Sequence, residues 1–323
     1  MISLKVLVTG GAGFIGSHVC SYLIDSGHDV TALDALDDCL YEREVKLRYL
    51  SHIGESDRFH FIHADLARAE LQRLVARADV VIHQAATPGL SKSWHDFDTY
   101  STNNLQATWH LLEALRASPS THLIYASTSS VYGRFAVGSE ECPTRPFSPY
   151  GVTKLAAENL IQAYRENFGL RSSILRYFSV FGPRQRPDMA YSKFCSRILN
   201  KQTLFVTGDG EQSRSNTYIS DVVEATCLAA EAREDGLLAN ICGSETITVN
   251  EAIRQISEFL EISPRVQYTV ATEGDQYATE GDASKASSAL GWSPKVSVSQ
   301  GLAQQASAAL HDMFTDPQGP QHQ

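Results

Sequence analysis

Short apolar runs alternate with stretches of helical periodicity through the first half of the chain. "KVLVT" (residues 5–9) precedes a helical pattern from about Phe14 to Ser26, and "DVTALD" (29–34) reads as a second strand. "RFHFIHADL", "DVVIHQAA", "HLIYASTSS" and "RSSILRYFSVFG" read as later strands, with helical patterns such as "NNLQATWHLLEALR" and "YGVTKLAAENLIQAYRENFG" between them. Such alternation predicts an α/β fold, a doubly wound parallel sheet covered by helices on both faces.

From about Gly182 the texture changes. "GPRQRPDMAYSKF" is rich in Pro and Arg, a helix follows, and "TGDGEQSRSNT" reads as a turn. "YISDVVEATCLAAEA" and "LLANICGS" are a further helix and strand, expected to return to the main sheet. Helices are predicted near Val249–Leu260 and Gln300–Met313, with a strand at "RVQYTVA". The expected organisation is a nucleotide-binding domain, 1–181 plus about 217–243, and a smaller α/β substrate-binding lobe, about 182–216 plus 244–312. "TDPQGPQHQ" carries turn-formers without an apolar pattern, and residues 313–323 are expected to be a flexible tail.

The 323 residues are enough for these two units, and 43% hydrophobic with 20% charged residues is ordinary for a globular protein. A net charge of −10 disfavours nucleic acid and anionic membrane surfaces as partners. "MISLKVLVTG" lacks the long apolar region of a signal peptide, and no segment reaches a membrane span, so a cytoplasmic location is expected. The six cysteines show no CxxC spacing, which fits reduced thiols better than disulfides or zinc. His60 and His63, three apart on a strand, face opposite sides, so no metal site is expected.

"VTGGAGFIGSH" lies between the first strand and the first helix, where a dinucleotide fingerprint belongs. Gly10 permits the tight turn, Gly13 lets the backbone approach a pyrophosphate, and Gly16 lets helix and strand pack closely. The helix N-terminus then offers N–H groups and a positive dipole end to the phosphates. A GxGxxG reading from Gly11 is also open, and spacing alone does not choose. Asp34 ends the second strand where an acid would hydrogen-bond the ribose hydroxyls of NAD, and its charge disfavours the extra phosphate of NADP. Asp65, in "HADL", is either a contact for the adenine amino group or an exposed turn acid.

In "SPYGVTKLAAEN", Tyr150 and Lys154 stand four apart and so share one helix face. Together "TGGAGFIG", "HQAA", "STSSVYG" and "YGVTK" resemble the extended short-chain dehydrogenase/reductases, more narrowly the NAD-dependent nucleotide-sugar epimerases and dehydratases. The likeness runs from about Lys5 to Leu310. It implies a Rossmann-type sheet and bound NAD, with Phe14, Ile15, Leu66, Gln84, Ala85 and Ala86 also against the cofactor. It further implies that Tyr150 removes a sugar hydroxyl proton while hydride leaves the same carbon. Lys154 would sit on the nicotinamide ribose and lower the tyrosine's pKa toward neutrality. Thr128 would bond the same oxygen and relay the proton. Asn104 would give support through a water, and His83 is expected to be packed and non-catalytic.

Relatives of this kind begin by oxidising C4 of the sugar, and neighbouring residues decide the fate of the 4-keto intermediate. Dehydratases typically carry an Asp-Glu pair after the threonine, and decarboxylases keep the Glu. Here Ser129 and Ser130 stand instead, neither of them a carboxylate acid or base. That leaves 4-epimerisation with NAD regenerated. "STSSVYG", "SPYGVTKL" and "GPRQRPDMAY" look like bacterial UDP-glucuronate 4-epimerases. Thr128, Ser129, Ser130, Ser179 and Arg186 would then surround the C6 carboxylate, with Arg186 as a bidentate clamp. Arg214 matches the family arginine that pairs with the pyrophosphate, and Asp275 is expected on a ribose or an arginine. Departures from the pattern are Arg214-Ser215-Asn216 in place of Arg-Asp-Phe, Ser91 where an arginine is usual (with Lys92 adjacent), and Ser179 in place of Asn or Thr. The alternatives are a neutral UDP-hexose 4-epimerase, a dehydratase or decarboxylase, and a dinucleotide-sensing regulator. Relatives often dimerise through a four-helix contact, so a homodimer is expected.

Overall fold

Each apolar run of the first half becomes a strand of one parallel sheet. The computed structural model describes residues 3–270, 274 and 276–315. Across the sheet the strands run Leu238–Ile241, Ser172–Tyr177, His122–Thr128, Val80–His83, Lys5–Thr9, Asp29–Asp34 and Phe59–His63. "LLANICGS" does return to this sheet, pairing parallel with Ser172–Tyr177.

Successive side chains enter two different cores, which is why whole runs are apolar. Val6, Val80, Ile82 and Ile124 belong to one buried cluster, beside the Phe14–Asp25 and Ile219–Ala232 helices. Leu7, Val81, Leu123 and Tyr125 belong to the other, beside the Ala107–Arg116 and Pro149–Phe168 helices. The chain winds outward from Lys5–Thr9 in one direction, then returns to continue in the other from Val80–His83. A crevice opens at the carboxyl ends of these two strands, where doubly wound sheets bind ligands.

Beyond the main sheet, Thr246–Thr248, Ser213–Ser215, Ala278–Gly281 and Phe135–Gly138 form a four-stranded sheet. The segment read as a turn, "TGDGEQSRSNT", therefore holds a strand. It pairs with residues more than thirty positions away (Arg214 opposite Ile247), a partner that local sequence cannot show. Phe135–Gly138 joins the same sheet through Ala278–Gly281, so this sheet also draws on chain before residue 182. "RSSILRYFSVFG" is two strands: it leaves the main sheet after Tyr177, and Val180–Phe181 pairs with Thr217–Tyr218.

The last helix, Val298–Thr315, runs two residues past the expected end, so residues 313–315 are helical rather than a loose tail. Buried Leu302 and Ala306 anchor it. The rest of the expected tail lies outside the described residues. Among the described residues, no helix is long and apolar enough to cross a membrane, and no three His, Cys, Asp or Glu side chains converge as a metal site.

Candidate active site

Ser148 and Pro149 fix where the long helix begins. The Ser148 hydroxyl accepts from the Gly151 N–H (3.1 Å) and Pro149 occupies the first turn, a strong N-terminal signal. This start places Tyr150 and Lys154 at the crevice, which both line. The Tyr150 ring packs edge-on against Tyr100, with centroids 6.3 Å apart. Burial raises the pKa of the Tyr150 phenol, offset in part by a hydrogen bond with Thr128 and by the charge of Arg186.

Lys154 lines the same crevice one helical turn further along. Its ammonium lies over the Tyr125 ring, 4.2 Å from the centroid, and faces Glu158 one turn along the helix. Arg186 adds a second positive charge that acts on the phenol. Burial brings Lys154 itself down to about 7, against the opposing charge of Glu158.

The glycine turn takes shape from its backbone. Gly10 has φ +71°, and a Cβ on Gly16 would stand 2.1 Å from the Gly10 carbonyl oxygen. Gly11 presses on Ala32 instead, so Gly10 is the turn residue and Gly11 a packing one. Gly13 caps the Phe14–Asp25 helix without a side-chain bond, which leaves the first turn's amides for a ligand. Gly10, Gly13, Phe14, Ile15 and Gly16 line one side of the crevice, Asp34, Asp65 and Leu66 its far end, and Gln84, Ala85 and Ala86 its floor.

Asp34 accepts from the Ala12 N–H (3.1 Å) and the Leu36 N–H (2.8 Å). Lys46, which the sequence reading missed, is buried 3.9 Å from Asp34 and 3.4 Å from Asp37. Its position twelve residues beyond Asp34, on a separate helix, gives no motif to find it by.

On the other side of Tyr150, Thr128 caps a short 3-10 turn over Ser129–Tyr132 and its Oγ1 accepts from the Ser130 N–H (3.1 Å). Thr128 also donates to Ser130 Oγ at 3.2 Å. Gln276, another residue missed from sequence, holds this turn from the far lobe by donating to the carbonyls of Ser129 (3.3 Å) and Gly133 (2.8 Å). It also lines a second cavity of about 950 Å³ with Trp94, Phe147, Thr207 and Tyr277.

Arg186 reaches the crevice, but its fork is occupied: Nε and Nη2 each donate to Asp188 at 2.9 Å. Asp188 raises the pKa of Arg186 in spite of burial. Ser179 contributes its carbonyl to the Thr217 N–H (3.1 Å). Arg214 donates to the carbonyls of Ser213 and Tyr277, next to the second cavity. Asp275 lies outside the described residues. Lys92, beside Ser91, donates to the Cys39 carbonyl. Buried Asn216 accepts from the Tyr191 hydroxyl (2.7 Å).

Two supporting residues act directly. Asn104, in the π-helical turn Ser101–Gln106, takes the Thr87 N–H (2.7 Å) and donates to the Thr87 carbonyl (3.0 Å) and to Thr153 (3.1 Å). These bonds fix the Asn104 amide beside the crevice residue Thr87. His83 is buried between the hydroxyls of Thr9 (2.7 Å) and Thr108 (2.9 Å), and burial takes its pKa down to about 3. It stays neutral and packed.

A family model described as the NAD dependent epimerase/dehydratase family matches residues 6–242. The chain belongs to that family. This epimerase-family chain is 38% identical to the Bacillus cereus UDP-glucuronic acid 4-epimerase solved with UDP-glucuronic acid and NAD. The TM-score is 0.92, with 95% of this chain and 99% of that one covered. It is 39% identical over 305 residues to an uncharacterized UDP-glucose epimerase, YtcB, of Bacillus subtilis, covering 93% of this chain and 96% of the relative. A UDP-glucuronate 4-epimerase of Thermodesulfobacterium geofontis is 32% identical over 301 residues, covering 92% and 93%.

The crevice fits NAD, the family's cofactor. A Cβ at Gly10 or Gly16 would collide with backbone in the turn, the helix end beside it is uncapped by side chains, and the Asp34 carboxylate lines the same crevice, as a dinucleotide site requires.

Proposed function

We propose that this NAD-dependent UDP-sugar 4-epimerase interconverts UDP-glucuronate and UDP-galacturonate. NAD held along Gly10, Gly13, Gly16 and Asp34 would supply a reversible hydride acceptor for C4 of the sugar. Tyr150 exchanges the proton of the C4 hydroxyl, Thr128 keeps a hydrogen bond on the phenol, and Lys154 supplies positive charge at the crevice floor. Ser129 and Ser130, held by Gln276, surround the C6 carboxylate without offering an acid or base for elimination. Arg186 approaches that carboxylate with its remaining N–H groups. We assign the nucleotide to the lobe of about 182–216 and 244–312, with Arg214 toward the pyrophosphate.

The observation that carries this reading is the pairing of a turn after Thr128 that offers hydroxyls and no carboxylate with a part-buried arginine whose charge acts on the same tyrosine. A 4-keto uronate loses CO₂ readily, so an enzyme for it must restrain the carboxylate and keep acid groups away. One observation favours a neutral UDP-hexose as the second reading: Asp188 already takes two donors of Arg186. Incubation with a panel of UDP-sugars, read by NMR and mass spectrometry, separates the two. UDP-galacturonate of unchanged mass from UDP-glucuronate is the expected product. A UDP-pentose, or turnover of neutral hexoses alone, would contradict the proposal.

A further inference from the structure

Directly beneath the crevice lies an ion pair that the chemistry above does not use. Glu158 stands one helical turn beyond Lys154, and Arg176 faces it from the neighbouring Ser172–Tyr177 strand. Arg176 Nη2 is 2.7 Å from Glu158 Oε2 and its Nε is 3.1 Å from Oε1, with side-chain exposures of 5% and 6%. Ser127, which lines the crevice, donates a further bond to Glu158 Oε1. Arg176 in turn donates to the Tyr132 hydroxyl (2.8 Å), and that hydroxyl donates to Asn240 (2.7 Å).

Two charges taken out of water gain little stability over a well-packed apolar pair, so stability alone is a weak reason for this arrangement. We infer that Glu158, clamped by Arg176 and Ser127 one helical turn from Lys154, is a positioning residue whose fixed charge keeps the Lys154 ammonium charged under the cofactor crevice.

The surroundings of Lys154 leave this task to Glu158. Tyr150 shares its helix and Tyr125 lies under its ammonium, both as neutral phenols. His83, on the next strand, is neutral, and Arg176 stands behind Glu158 as an opposing positive charge. Glu158 is the carboxylate acting on an amine that burial drives toward its neutral form. Arg176 fixes the direction of the Glu158 carboxylate, and the Tyr132–Asn240 bond fixes Arg176.

The inference rests on the role proposed for Lys154, and its test is separable from that proposal. The chain has eight lysines, few enough for selective ¹³Cε labelling to follow each titration by NMR, with the Lys154 signal identified by its loss in Lys154→Met. In Glu158→Gln the Lys154 midpoint is expected to fall by about one pH unit or more. The basic limb of kcat/KM should fall with it, measured on whichever UDP-sugar the wild type turns over. Glu158→Asp keeps the charge and should keep the midpoint.

If Glu158→Gln does not fold, Glu158→Gln with Arg176→Met removes the pair without stranding a buried cation. A smaller downward movement is expected there. An unmoved midpoint and limb in a folded neutral variant, with only the melting temperature lowered, would overturn the inference and leave Glu158 a structural residue. Failure of the wild type to turn over UDP-glucuronate would count against the proposed function and not against this.

Discussion

Lys154 sets function against stability within one side chain. Its pKa is brought from 10.5 to about 7 by burial, while the unfolded chain keeps the ordinary value. Below pH 7 the fold therefore bears the full cost of a buried charge. As pH rises from about 7 to about 10.5, the folded amine releases its proton while the unfolded one retains it, and the cost disappears. Lys154→Met is expected to be more stable than the wild type at pH 6–7 by about 1–2 kcal/mol, with a flatter pH dependence. Turnover should drop at least about 100-fold. Thermal unfolding across pH checks the first part, and an equal or lower melting temperature at pH 6 would contradict it. Tyr150, Lys154 and Thr128 were readable because they stand in short motifs. Glu158, Arg176 and Lys46 were not, because each takes its meaning from a neighbour in space.

At the scale of elements, the glycine turn and the start of the catalytic helix are local devices, and both were legible. The structure adds which glycine does what. Gly16 touches only backbone, and neither the Gly10 carbonyl nor Gly11 Cα can yield as a side-chain tip would. Gly16→Ala should therefore cost about 1–3 kcal/mol of stability and weaken NAD binding at least tenfold. Calorimetric titration with NAD reads this directly, and unchanged affinity would mean that the cradle is softer than its geometry. Elements defined by distant pairing stayed hidden: Ser213–Ser215 is a strand because of Thr246–Thr248, and the Ser129 turn is held from Gln276. The π-helical turn that aims Asn104 at Thr87 gave no sequence signal either, since its residues are ordinary helix formers.

Over the whole molecule, the strand order places the ends of Lys5–Thr9, Asp29–Asp34, Val80–His83 and His122–Thr128 around one crevice. The parallel sheet was legible because its apolar runs alternate with helices. The small four-stranded sheet was not, because it is assembled from strands separated by up to 143 positions in the chain, Phe135 facing Ala278. This assembly brings a cofactor cradle, the tyrosine proposed to transfer the proton and a hydroxyl-bearing turn to one place, and the proposed 4-epimerisation needs all three. UDP-glucuronate labelled with deuterium at C4 tests that claim most directly. The expected product is UDP-galacturonate with the label still on C4 and the mass unchanged. Label lost to solvent, or a product lighter by CO₂, would contradict it.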